Sequence, residues 1–152
     1  MDSFDQNLLM LLQQKGNATN AELGKASALS LSQAGRRRQK LEDDGVIAGY
    51  HASLSPEKCG LAIQAFIQIS LNHHSREGAE NLHHYLAHQP EIVNIWSLTG
   101  SADYLLQVFC KNLPDLNRLV HDELLGQAAI THVESKIVMS HIKANAPLPL
   151  SL

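Results

Sequence analysis

Apolar positions recur at helical spacing through the first fifty residues and mostly alternate afterwards, with the change of rhythm near Ile47. Phe4, Leu8, Leu11 and Leu12 form the stripe of a first helix, with Asp2 or Asp5 as its cap and Gly16 as its stop. Thr19-Asn20-Ala21-Glu22 opens a second helix with a capping box, in which the Thr and Glu side chains satisfy free backbone N–H groups reciprocally. This helix is predicted to bury Leu23 and Ala26 and to end near Ala28. Ser30 to Gln33 forms a second box and opens a third helix, which stops at Asp43-Asp44-Gly45. The two boxed helices are separated by only about three residues, the connection of a helix-turn-helix.

Beyond Ile47 the pattern predicts a short strand over Ala48–Leu54, broken by Ser55-Pro56. Ile63, Ala65, Ile67, Ile69 and Leu71 then line one face of a longer strand, with Gln64, Gln68 and Ser70 on the other. A helix follows with Ala79, Leu82, Tyr85 and Leu86 on its inner stripe. Strands at Ile92–Leu98 and Tyr104–Cys110 are joined through Thr99-Gly100-Ser101-Ala102-Asp103, which reads as a hairpin connection. A second helix begins near Pro114 and buries Leu116, Leu119, Val120 and Leu124. A last strand is expected over Val133–Ile142, and Pro147-Leu148-Pro149-Leu150 cannot continue it.

The order βαββαβ is the ferredoxin-like arrangement, an antiparallel sheet with both helices on one face. The fold class is therefore α+β: a three-helix helix-turn-helix domain at 1–47, a hinge strand and linker at 48–61, a ferredoxin-like domain at 62–144 and a tail at 145–152. Phe66 and Phe109 fall outside the main alternation, so the open sheet face carries apolar residues that need a cover. A second copy on a two-fold axis is the simplest cover, and it brings two third helices to one duplex.

Composition narrows the possibilities further. The N-terminal MDSFDQ lacks a basic leader pattern, and no apolar run approaches the roughly 18 residues of a membrane span. A soluble, cytoplasmic chain is expected. Cys59 and Cys110 form neither a CxxC pair nor a disulfide framework, and are read as reduced, buried thiols. The net charge of −3 excludes a non-specific nucleic-acid coat, but four cations, Arg36, Arg37, Arg38 and Lys40, cluster in the third helix.

At about 100° per residue, Ser32, Gln33, Arg36 and Lys40 share one arc of that helix. Ala34, Arg38 and Leu41 share the opposite arc, and Arg37 lies between. A cation run alone marks a solvated helix face more often than a binding site. Following two capped helices and a tight turn, it points instead to double-stranded DNA. Arg, Gln and hydroxyl side chains read base edges, and Arg37 is placed to reach phosphate. Arg38, whose phase is apolar, is expected to lay its stem along the core and carry its head to solvent, an acid or a phosphate.

Leu29-Ser30 before the third helix, Arg37 and Leu41 within it and Gly45-Val46-Ile47 after it resemble the Lrp/AsnC family of transcriptional regulators. The later Gly100-x-x-Asp103-Tyr104-Leu105-Leu106 segment is a second match, and the likeness covers nearly the whole chain. The resemblance implies a DNA-binding transcriptional regulator and not an enzyme, and with the helix phase above the expected DNA contacts are Ser30, Ser32, Gln33, Arg36, Arg37 and Lys40. It also implies a small effector, an amino acid, held where dimers meet, near Leu98, Thr99, Gly100, Ala102, Asp103 and Tyr104. Dimers assembling into tetramers or octamers are expected, with no cofactor. Arg38 departs from the family pattern, which favours an aliphatic residue there.

The residues of the hairpin support this on their own terms. Gly100 permits close backbone approach, exposed N–H groups suit a carboxylate, and Asp103 suits an ammonium; equally, Gly and Asp are ordinary turn formers. Two other functions fit parts of the chain. Sirohaem decarboxylases resemble these regulators, but their His/Asn/Arg-rich hairpin is replaced here by Thr99–Tyr104. His73-His74, His83-His84 and His88 cluster around one helix, yet no cysteine or paired carboxylate completes a metal-ligand set.

Overall fold

The computed structural model describes residues 1–72 and 76–150, without the side chains of Arg76, Glu77 and Ala79. The expected roles of His73, His74 and the Ala79 side chain lie outside the described residues. The chain divides into two compact units, one of Met1–Ser53 with the tail from Ile142, the other of Leu54–His141.

In the first unit, α1 (Ser3–Gln14), α2 (Asn20–Ser27) and α3 (Leu31–Asp43) each begin with a complete capping box. Asp2 and Asp5 both serve at α1, one as cap and the other as its reciprocal partner. The helix ends at Gln14, with Lys15 rather than Gly16 closing it. Leu8, Leu12, Ala18, Leu23 and Ala34 form the core, and Leu11, Leu29 and Ile47 pack against it. Each fully buried leucine contributes about 1.5–3 kcal/mol relative to leaving it in water. The stripe of α1 is rotated slightly from expectation: Leu9 is buried, while Phe4 is exposed and underlies the Arg37 guanidinium.

Helix α2 buries Leu23, Gly24 and Ser27, and Ala26 faces outward. The reason is the tightness of the turn. A Cβ on Gly24 would lie 2.7 Å from the Leu29 carbonyl oxygen, so only glycine admits the returning chain at that position. Ala28, in the left-handed region with φ of 54°, reverses the chain before Ser30 caps α3. In the tail, the Gln13 carboxamide pairs with the backbone of Leu148, donating to its carbonyl at 3.4 Å and accepting from its N–H.

The second unit is a four-stranded antiparallel sheet of order β2-β3-β1-β4, with β1 Ile63–Leu71, β2 Ile92–Ser97, β3 Tyr104–Cys110 and β4 Ile130–Ile137. Two helices, α4 (Arg76–Ala87) and α5 (Leu113–Arg118, continued by a π-helical turn Leu119–Leu124), cover one face. Ala65, Ile67 and Ile69 of β1 meet Leu106, Val108 and Cys110 of β3 beneath Leu82, Leu86, Leu116, Leu119 and Leu124. This is the ferredoxin-like α+β architecture.

Three expectations fail here for identifiable reasons. Residues 48–54 are not a strand, because among the described residues none pairs with them in a ladder. The last strand is Ile130–Ile137 and not Val133–Ile142. Its partner β1 begins at Ile63, so pairing runs out once Val138 has donated to Gln64, leaving Met139 and Ile142 exposed. Cys110 is buried, but Cys59 lies exposed on a 3₁₀ turn at Glu57–Cys59, where no core side is available.

The opposite sheet face carries Phe66, Leu105, Phe109 and Trp96, interspersed with Gln64, Gln68, Asn94 and Gln107. Register puts Phe66 opposite Gln107, and Leu105 opposite both Gln68 and Trp96. Trp96 is 42% exposed, and among the described residues no element of the second unit covers this face.

Candidate functional site

Helix α3 sorts its four cations by direction. Arg37 is held by the N-terminus of α1: its Nη1 donates to Asp5 Oδ1 at 2.7 Å and Asp2 Oδ1 at 3.0 Å, and its guanidinium lies 5.3 Å from the Phe4 ring centroid. The Asp5 backbone N–H, with help from Arg37, holds the Asp2 carboxyl below the usual carboxylate range. Arg37, expected to reach phosphate, thus has carboxylate partners inside the chain.

Arg38 also turns inward. Its Nε donates to Glu42 Oε1 at 3.0 Å, its Nη1 donates to the Ala18 carbonyl at 3.1 Å, and the guanidinium sits 4.7 Å from the Tyr50 ring centroid. The Tyr50 hydroxyl donates to the same Glu42 oxygen at 2.8 Å. Burial and the adjacent Glu42 carboxylate push the Tyr50 phenol up, and hydrogen bonds from Tyr50 and Arg38 hold Glu42 down.

Arg36 and Lys40 remain. Both are exposed, four residues apart on one face, and neither has a hydrogen bond or ion pair among the described residues. Ser32 precedes them by one turn on the same face, its hydroxyl 3.2 Å from that of Ser30. Gln33 shares this arc, but its carboxamide oxygen accepts from the Ser30 N–H and hydroxyl, both at 2.9 Å. Only its amide nitrogen is free to donate outward. A bidentate contact to adenine requires both atoms and would break the cap.

The hairpin between β2 and β3 forms a second candidate site. Gly100 adopts φ of 119°, a conformation that side-chain-bearing residues rarely take, so glycine is required for this turn. Leu98 and Asp103 close the loop, with the Leu98 N–H donating to the Asp103 carbonyl at 2.8 Å. Thr99 and Gly100 are exposed, and Leu98, Ala102, Asp103 and Tyr104 are half-buried. The backbone N–H groups of Thr99, Gly100, Ser101 and Ala102 have no partner among the described residues, which leaves a short row of free donors. Asp103 has a structural duty as well: its Oδ2 accepts from the Leu71 N–H at 2.7 Å, capping the end of β1. The Tyr104 hydroxyl lies 2.6 Å from Nε2 of His83 on α4, with the two rings edge to face.

Comparison with known proteins places both sites in one context. Residues 64–148 match the family model of the Lrp/AsnC ligand binding domain, and residues 1–48 match a winged helix-turn-helix DNA-binding model. The chain belongs to the Lrp/AsnC family. It is 34% identical over 150 residues to the glutamate uptake regulatory protein of Zymomonas mobilis, covering 99% of this chain and 91% of the relative. It is 31% identical to the DNA-binding transcriptional activator DecR of Escherichia coli, covering 99% of each. Among solved structures, a Neisseria meningitidis transcriptional regulator in complex with L-Met superposes with a TM-score of 0.94 at 37% identity, covering 99% of this chain and 97% of that one.

This Lrp/AsnC protein is therefore a DNA-binding transcriptional regulator with an effector-binding domain. The family models and the named relatives indicate transcriptional regulators, and they lend no support to a sirohaem decarboxylase. No helix among the described residues is long and apolar enough to cross a membrane. Nor does any group of three His, Cys, Asp or Glu among them converge to hold a metal. His88 has Nδ1 engaged 2.7 Å from the His84 carbonyl, and the two rings stack at 4.2 Å.

Five functional neighbours have roles that the local sequence pattern does not record. Asp2 and Asp5 were visible as caps, but not as partners of Arg37. Tyr50 gave no signal, since its segment read as a strand. His83 belongs by sequence to the histidine cluster of its helix, yet the fold sets it against Tyr104. Leu71 gave no sign that its N–H would occupy Asp103.

Proposed function

We propose that this regulator docks α3 in the DNA major groove with Arg36 and Lys40 outermost. In this reading Arg36 reads a guanine edge and Lys40 contacts a base or phosphate. Ser30, Ser32 and the Gln33 amide nitrogen meet the duplex at the helix N-terminus, where backbone dipoles favour phosphate. Arg37 fastens α3 to α1 and contributes little to the phosphate contact. The observation that carries this is the sorting of cations: two are tied inward, and two stand free on one face.

The effector is proposed to be an amino acid at the Leu98–Tyr104 hairpin. Its carboxylate meets the free N–H groups of Thr99 to Ala102, and its ammonium meets the open oxygen of Asp103. The L-Met complex of the Neisseria meningitidis relative supports this class of ligand. Two copies of the chain cover each other's Phe66, Leu105, Phe109 and Trp96 face, and dimers associate further to tetramers or octamers around the hairpins. Effector binding changes the assembly only through unequal affinity for its alternative states. The protein acts in the cytoplasm, without enzymatic activity.

The test pairs two measurements. Affinity for a duplex selected by the wild-type chain from a random-sequence pool falls by about 1–3 kcal/mol in Arg36→Ala. A thermal-shift screen against the twenty amino acids identifies at least one stabilising ligand. Undiminished binding by Arg36→Ala moves the base contact away from Arg36, and a flat screen removes the amino-acid effector.

A further inference from the structure

Arg38 is the one cation of α3 whose position in the helix and whose chemistry disagree. It shares an arc with Ala34 and Leu41, both buried, and at about 100° per residue it lies about 200° around the axis from Arg36 and from Lys40. A duplex contacted by Arg36 and Lys40 is therefore on the far side of the helix from the Arg38 head. The guanidinium is instead engaged by the protein. One nitrogen reaches Glu42 one turn along the same helix, another reaches the Ala18 carbonyl just before α2 begins, and its face lies on the Tyr50 ring. Tyr50 closes the ring of contacts through the Glu42 oxygen.

These contacts act in different directions. The Ala18 carbonyl ties α3 to the loop entering α2, and Tyr50 ties it to the segment that leaves the helix. Glu42 orients the planar guanidinium between them. An aliphatic side chain at this position fills space, but it does not select one rotation of the helix about its axis. A two-point hydrogen-bonded fork does, because turning α3 by one residue removes Nη1 from Ala18. We infer that Arg38 is a positioning residue for base reading: with Glu42, Tyr50 and the Ala18 carbonyl it fixes the rotation of α3, and hence which side chains enter the groove, without touching DNA.

The inference rests on the reading of Arg36 and Lys40 as the outward contacts, so its experiment includes a control for that reading. The full-length chain and its Arg38→Met, Tyr50→Phe and Arg36→Ala variants are titrated with two duplexes of equal length. One is selected by the wild type from a random pool, and the other is its scrambled sequence. Titrations run from about 50 to 200 mM salt, where phosphate contacts dominate the dependence. Arg38→Met is expected to lower the selected-to-scrambled affinity ratio about tenfold, the loss of one well-placed base contact, with the salt slope unchanged. Tyr50→Phe shifts the ratio in the same direction by less, and it decides the matter if Arg38→Met does not fold.

A merely structural role lowers the melting temperature while leaving the ratio of the folded protein untouched, and that result overturns the inference. A slope shallower by about 0.9 with an unchanged ratio overturns it too, by making Arg38 a phosphate contact. If Arg36→Ala changes neither affinity nor ratio, the underlying reading of α3 fails first and the inference falls with it.

Discussion

Oδ1 of Asp5 lies 2.7 Å from Nη1 of Arg37, across 32 residues of chain, and joins the start of the first helix to the middle of the third. A cation so engaged contributes little free charge to a phosphate. Arg37→Gln is therefore expected to lower the melting temperature and to leave the salt dependence of DNA binding unchanged. Salt titration of the variant checks this, and a slope shallower by about 0.9 would restore Arg37 as a phosphate contact.

The cap of α3 joins stability to recognition. Ser30 and Gln33 satisfy each other's donors, so Ser30→Ala leaves the Gln33 backbone N–H at the helix start without its acceptor. Its cost is about 1 kcal/mol, read as a lower urea midpoint with unchanged slope. Gln33→Glu keeps the accepting oxygen and should remain near wild type in stability, although the added charge opposes DNA. Equal midpoints for Ser30→Ala and wild type would contradict the capping assignment.

Glu22 gives the first unit a dependence on pH. Its hydrogen bond from Lys15, with those from the Thr19 N–H and hydroxyl, pulls the carboxyl from 4.5 down to about 2. The folded value is depressed, so the contribution is complete above pH 4.5 and disappears as pH falls towards 2. Thermal melts across that window should show a decline that Glu22→Gln flattens. The pair is exposed, so added salt should shrink the difference. An identical decline in Glu22→Gln would assign it to other carboxylates.

Asp103 has two tasks that one substitution separates. Asp103→Asn keeps an oxygen for the Leu71 N–H and removes the charge proposed to meet an ammonium. Its melting temperature should stay near wild type, while the stabilisation by the amino acid found in the screen disappears. An unaltered ligand-induced shift would make Asp103 only the cap of β1.

Local signals accounted for much of this structure. Capping boxes at Thr19 and Ser30 and the alternation of Ala65, Ile67 and Ile69 declare themselves within a few residues, because their causes are local. What escaped depends on neighbours distant in sequence. The extent of β4 is set by where β1 begins, and no pattern within Val133–Ile142 records that. The partners of Arg37 and Arg38 lie at Asp5 and Ala18, so phase alone sets Arg38 on the buried arc and Arg37 between the arcs without identifying the residues that receive them. Likewise the hairpin motif identified Asp103 but not the Leu71 amide that takes one of its oxygens. The outward arc itself was legible, and the structure reduced its strength at Gln33 by committing that side chain to the cap.

Base reading by the outward face of α3 through Arg36 is tested by repeating the selection from a random duplex pool with Arg36→Ala. The variant is expected to select a sequence like that of the wild type except at one guanine in each half-site, where preference disappears. A consensus that retains every preferred base would contradict it.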